Sequence, residues 1–251
     1  MKVVPWLTIL FLTSGSLVDL HAKTPRGKPL RKLRVVIDAS RDGGAWWFPQ
    51  GPPPFDPQKP HQGVLLANYL KSRGWEVIEI PRETKITDQF KGATMVVRFN
   101  KWGGYDASEV MAYREFVRNG GRLLLLEGYV RDAESENDAV ARQFGIHFQG
   151  MVEAAAMRGA KGASRDYNST VYRIGSIVDQ YPQATRPLAR LDDGRLVMGT
   201  FRFGRGRIIF LSSVFPVLQV PELFINRLFD DLSRSRPKRS DRSKARRAGM
   251  Q

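Results

Sequence analysis

Residues 120–128, Gly-Gly-Arg-Leu-Leu-Leu-Leu-Glu-Gly, decide the fold class of this chain. Four leucines in succession leave no alternate position for water, so a strand here is covered on both faces, as in a parallel sheet flanked by helices. The Gly pair ends a preceding helix over 106–119, whose Val110, Tyr113, Phe116 and Val117 form an apolar stripe and whose N-cap is Asp106 or Ser108. The same reading extends outward. RVVID (34–38), EVIEI (76–80) and TMVVRF (94–99) are three further strands. A helix from about His61 carries Leu66, Tyr69 and Leu70 and stops at Gly74, a short helical turn lies around 86–90, and another helix lies near 136–144. Residues 150–166, rich in small side chains, read as an irregular surface excursion. Runs 195–203 and 207–212 flank Gly204-Arg205-Gly206 as a hairpin, and 221–232 is a closing amphipathic helix. The expected fold is α/β: a flavodoxin-like, mostly parallel sheet with helices on both faces, strand order 2-1-3-4, plus a C-terminal β-hairpin and helix.

The net charge of +15 over 251 residues suggests nucleic acid until it is mapped. Residues 23–34 hold six basic residues and no acid, and 233–251 hold eight basic residues and one acid, so these flanks supply 13 of the 15 charges. The body is nearly neutral, and no dedicated nucleic-acid surface is expected. Residues 1–22 have a signal-peptide layout: Lys2, an apolar run over 3–12, then a small polar patch ending at Ala22. Export to a periplasmic or extracellular space is expected; the alternatives are a retained membrane anchor and a buried N-terminal element. Leu20 is not the small residue a cleavage site prefers, and no Cys is present for a lipid anchor. The division is then a signal peptide (1–22), a basic linker (23–33), one α/β domain (34–232) and a basic disordered tail (233–251). For an exported chain the polyanions open to such tails are anionic lipid head groups, through peripheral membrane contact, or acidic surface polymers; the alternative is a solvated tail with no partner.

Catalytic options are few. Zero cysteines exclude disulfides, thiolate metal sites and a Cys nucleophile. Outside 1–22 only His61 and His147 occur, neither at metal-ligand spacing from another His, and no G-x-S-x-G elbow is present. No metal or cofactor is expected. Gly204-Arg205-Gly206 precedes a strand, whereas a phosphate loop precedes a helix. Carboxylates remain: Asp38 and Glu127 at strand ends and Asp42 in a loop could serve a carbohydrate or ester hydrolase, or could cap helices and pair with arginines.

The acid-ended first strand, its Gly-containing loop, SRGWEV (72–77), GGRLLLLEG (120–128) and FGRGRIIFLSS (203–213) resemble the glutamine-amidotransferase-like α/β domain, in the branch related to gliding-motility and intraflagellar transport proteins. The resemblance spans about 34–232 and is weakest in the middle. It implies that the nucleophile turn follows the 123–126 strand, where this chain reads Glu127-Gly128-Tyr129 and has no Cys. Amide transfer is therefore not implied; a non-catalytic binding or assembly role is.

With the first and third strands adjacent, their exit loops face one another across the switch-point crevice. One carries Asp38, Ser40, Arg41, Trp46 and Trp47, the other Asn100, Trp102 and Tyr105. An aromatic-walled cleft with these polar handles suits a sugar ring, a peptide or a protein side chain. The competing reading folds Trp46, Trp47 and Phe48 back as a hydrophobic lid, with Trp102 plugging the sheet edge.

Overall fold

A computed structural model describes residues 33–41, 46–50, 56, 58–99, 104–128, 138–154, 156–169 and 172–233. The expected signal peptide, most of the expected linker and nearly all of the expected C-terminal tail fall outside these residues, as do Asp42, Asn100 and Trp102. None of the described helices is long and apolar enough to cross a membrane.

The chain runs through β1 (Arg34–Asp38), α1 (Val64–Ser72), β2 (Glu76–Ile80), β3 (Met95–Phe99), α2 (Ala107–Arg118) and β4 (Arg122–Leu126). It continues through α3 (Ala139–Arg142), β5 (His147–Ala154), β6 (Arg158–Gly159), β7 (Arg173–Gln180), β8 (Arg186–Arg190), β9 (Leu196–Phe203), β10 (Gly206–Leu211), α4 (Phe215–Leu218) and α5 (Glu222–Ser233). Eight strands form one sheet in the order β2-β1-β3-β4-β10-β9-β8-β6. The first five are mutually parallel, and β9, β8 and β6 add antiparallel pairings.

Alternation along the central strands splits the apolar residues between two layers. Ile37, Phe99, Leu124 and Leu126 face α1 and α5, meeting Leu66, Leu70, Leu228 and Leu232. Val36, Val96, Leu123 and Leu125 face α2 and α3, meeting Tyr113, Val117, Val140 and Phe144. Each such buried side chain stabilises the fold by roughly 1.5–3 kcal/mol relative to exposure, which is why a strand of four leucines requires cover on both sides.

Local signals explain the boundaries. Asp106 accepts from Ser108 N and Glu109 N while the Glu109 carboxylate accepts from Asp106 N, a reciprocal capping box that starts α2. The β9–β10 turn packs against the end of α2, where a Cβ on Gly206 would lie 2.1 Å from Val117 O and 2.3 Å from Gly121 O. Gly206 thus permits backbone contact between turn and helix.

Residues 150–166 are not the irregular excursion expected. Residues 147–154 form β5, which pairs antiparallel with β7 as a separate two-stranded sheet, and 158–159 form the edge strand β6. The register of β5 shifts between Gln149 and Val152, and Gly150 takes φ +56, so the two-residue period that signals a strand is broken in its middle. Around 86–90 the chain makes hydrogen-bonded turns, with Ile86 and Phe90 buried.

Candidate functional site

Parallel register brings Asp38 of β1 beside Arg98 of β3, and Arg98 beside Leu125, two residues before Glu127. Asp38, Arg98 and Glu127 therefore project to the α2/α3 side at the carboxyl ends of the strands. All three are essentially inaccessible, at 0%, 0% and 1% exposure. Burying charge at this depth is costly unless each group is paired and hydrogen-bonded.

The pairing is specific. Arg98 Nη2 donates to Glu127 Oε2 at 2.6 Å, and Nη1 donates to Asp138 Oδ2. Asp138 also caps α3, accepting from Val140 N at 3.0 Å and Ala141 N at 3.1 Å. Burial alone pulls the Arg98 pKa down, but Asp138 and Glu127 outweigh it and hold the guanidinium above its ordinary value. Asp38 accepts four hydrogen bonds: from Ser40 N at 3.0 Å, Ser40 Oγ at 2.6 Å, Tyr105 OH at 3.0 Å and Tyr113 OH. Burial, followed by the Asp38 charge, pushes both tyrosines well above their usual pKa.

A second arginine closes the rim. Arg41 reaches Glu109 Oε1 at 3.2 Å and Oε2 at 3.3 Å, donates to Gly104 O at 3.2 Å and lies 5.6 Å from the Tyr105 ring centre. Glu109 also accepts from Ile86 N at 3.2 Å, so one carboxylate joins α2, the β1 exit and the segment before β3.

The tryptophans go elsewhere. Trp46 is wholly buried on the α1/α5 side, with its ring 5.0 Å from Phe99 and so close to Gly63 that a Cβ there would lie 2.2 Å from the indole. Its Nε1 donates to Glu79 Oε2 at 3.1 Å. Trp47 meets Trp46 edge-on at 6.5 Å, is partly accessible, and donates to Ala39 O at 2.9 Å. His61 lies against both indoles, with Nδ1 3.2 Å from Trp46 O and Nε2 3.2 Å from Glu79 Oε2. His147 Nδ1 stands 2.7 Å from Asp179 Oδ1.

Of the residues expected to share one crevice, Asp38, Ser40, Arg41 and Tyr105 do converge. Trp46 and Trp47 lie across the sheet from them, with Trp46 packed on Phe99 and Gly63. Glu127 lies with Arg98. Arg98, Tyr113, Glu109 and Asp138 were not anticipated, although an arginine within the apolar run Met95–Phe99 signals that buried acids must answer it. Among the described residues, no group of three or more His, Asp or Glu side chains is placed to hold a metal ion. Among the described residues, accessible features at these strand ends include the partly exposed Trp47, Phe48 at 38% exposure, and the Arg41–Tyr105 stack.

No protein-family model matches the sequence, and no curated protein matches it. Solved structures do share its architecture. The mmIFT52 N-terminal domain superposes with a TM-score of 0.56 at 12% identity, over 78% of this chain and 94% of that domain. A cytoplasmic protein from Salmonella typhimurium gives 0.57 at 13%, over 80% of this chain and 97% of that one. A β-galactosidase from Rahnella sp. R3 gives 0.54 at 14%, over 82% of this chain and 32% of the enzyme. At such identities the likeness is one of fold.

Proposed function

We propose that the chain is an exported, non-catalytic binding or assembly module with an amidotransferase-like fold, which recognises a carbohydrate, peptide or protein partner at the ends of its parallel strands. The carrying observation is the use made of Glu127. It stands in the turn after β4, where the amidotransferase resemblance implies a nucleophile, and its carboxylate is buried 2.6 Å from Arg98. A general acid or base must reach substrate; Glu127 reaches Arg98, and Asp38 is occupied by Ser40 and two tyrosines. Partner contact then falls to the accessible rim: Trp47, Phe48, Arg41 and Tyr105, groups that stack on rings and pair with polar handles. The signal-peptide layout of residues 1–22 supports export.

Glu127→Gln tests this directly. The expected result is a lower melting temperature, with no glycosidase or esterase turnover in the natural protein to lose. Hydrolysis by the natural protein that disappears in Glu127→Gln at an unchanged melting temperature would establish the carboxylate hydrolase instead.

A further inference from the structure

At the opposite end of the sheet the register lines up arginines. Arg207 of β10 is paired with Arg122 of β4 on one side and with Arg202 of β9 on the other. Directly paired residues point to the same face, and neighbouring strands lie about 4.8 Å apart, so the three side chains form a contiguous row. The row lies on the face that α5 covers, where Leu124 and Ile209 meet Leu228 and Leu232. Arg186 of β8 pairs with Thr200, two residues from Arg202, and extends the row on the same face.

The charge is poorly answered by nearby acids. The charged groups acting on Arg207 are Arg202, Arg186 and Arg122 against one acid, Asp231. Asp231 is buried and already accepts from Tyr167 OH at 2.6 Å, with Arg227 Nε 3.3 Å away; Arg186 stands 3.9 Å from it. Arg207 Nη1 donates to the Asp231 backbone carbonyl at 2.6 Å near the end of α5, a helix-terminus contact that accounts for one of the arginines. It leaves Arg122 and Arg202 placed to face a ligand. Arg122 and Arg207 are partly buried, and burial, joined at Arg207 by the neighbouring arginines, draws their pKa values down.

Like charges directly opposite on adjacent strands destabilise a sheet. Here two such pairs run in series, and neutral residues at these surface positions would remove the repulsion. Guanidinium groups are planar forks that bind phosphoryl oxygens in bidentate fashion, and a row of them matches a multiply charged oxyanion. The sequence beyond Ser233 adds eight basic residues and one acid, raising the net positive charge with which the chain attracts such a ligand.

We propose that Arg122, Arg202 and Arg207, flanked by Arg186, form a binding ledge for a ligand bearing phosphoryl groups, separate from and independent of the partner rim at the other ends of the strands.

Calorimetry on the full chain with tripolyphosphate as probe tests the ledge. Binding is expected at about 50 mM salt and should weaken steeply by about 200 mM, as counterion release requires. In Arg122→Gln/Arg202→Gln it should weaken by about tenfold or more, given the strength of charge-assisted pairs, while the unliganded variant melts no lower than the natural protein. A chain ending at residue 233 should keep most of the affinity. Sedimentation with phosphatidylglycerol vesicles, but not phosphatidylcholine vesicles, that is lost in the double variant assigns the phosphoryl group to a lipid head; tripolyphosphate binding without sedimentation assigns it to a soluble ester. Absence of tripolyphosphate binding, equal affinity in the double variant, or loss of binding only when residues 234–251 are removed would overturn the ledge.

Discussion

Replacing Arg98 by Met removes a buried cation that pairs with two buried carboxylates while keeping an unbranched side chain of comparable length. Arg98 is fully buried, its Nη2 lies 2.6 Å from Glu127, and its Nη1 donates to Asp138, which is 2% exposed. Removing one partner of a buried pair costs about 3–5 kcal/mol, because the remaining charge keeps its desolvation penalty. For a domain of this size each kcal/mol moves the melting temperature by about 2–4 °C, so a fall of about 6–20 °C is expected. The loss should shrink as pH is lowered from about 7 toward 5. In the folded variant the two acids, deprived of the guanidinium, bind a proton more readily than in the unfolded chain, so added protons favour the folded state. Urea titrations of Arg98→Met and the natural protein, followed by tryptophan fluorescence at both pH values, measure this. A loss below about 1 kcal/mol, typical of an exposed pair, or a difference that does not narrow on acidification, would refute the keystone role assigned to Arg98.

Two further outcomes are expected. Trp46→Ala should cost about 3–5 kcal/mol by opening a cavity between α1 and β3, whereas Trp47→Ala, at a partly accessible position, should cost much less and impair partner binding at the rim; thermal denaturation of the pair compares them. At high pH the buried tyrosines should set the limit of stability. Tyr113 is raised well above 10 by burial and then by Asp38, and burial pushes Tyr172 up to about 12. Their contribution is complete below the unfolded value of about 10 and is lost as pH climbs toward the folded values. Tyrosinate absorbance should therefore show exposed groups such as Tyr181 ionising first and the buried ones only with unfolding; smooth titration of all seven tyrosines near pH 10 with unchanged circular dichroism would contradict this.

Much of the architecture was readable because its strongest elements follow local rules. The runs 34–38 and 76–80 become strands at those residues, the run expected over 122–127 becomes a strand over 122–126, and the cap at Asp106 and the glycines after Asn119 bound α2. These signals depend on residues within a turn or two of one another, so no tertiary knowledge is needed. β5 and β6 were missed where a bulge and a positive-φ Gly break the period, and β8 carries Pro187 beside a register shift. Such strands are specified by their partners more than by their own pattern.

Chemistry divides along the same line. By itself the sequence determined that no cysteine chemistry occurs, that the basic charge is concentrated in the flanks, and that acids stand at the ends of two buried strands. Only the tertiary structure decided which face each of those side chains takes, for facing depends on register between segments far apart in the chain. It set Asp38 beside Arg98 and Arg98 against Glu127 and Asp138, turning candidate catalytic acids into a buried ion network, and it folded Trp46 onto Gly63 on the other side of the sheet. The same register aligned Arg122, Arg207 and Arg202, residues up to 85 positions apart, into one row. Charge pairing and charge crowding both depend on distances of a few ångströms in space, and separation along the chain does not encode them.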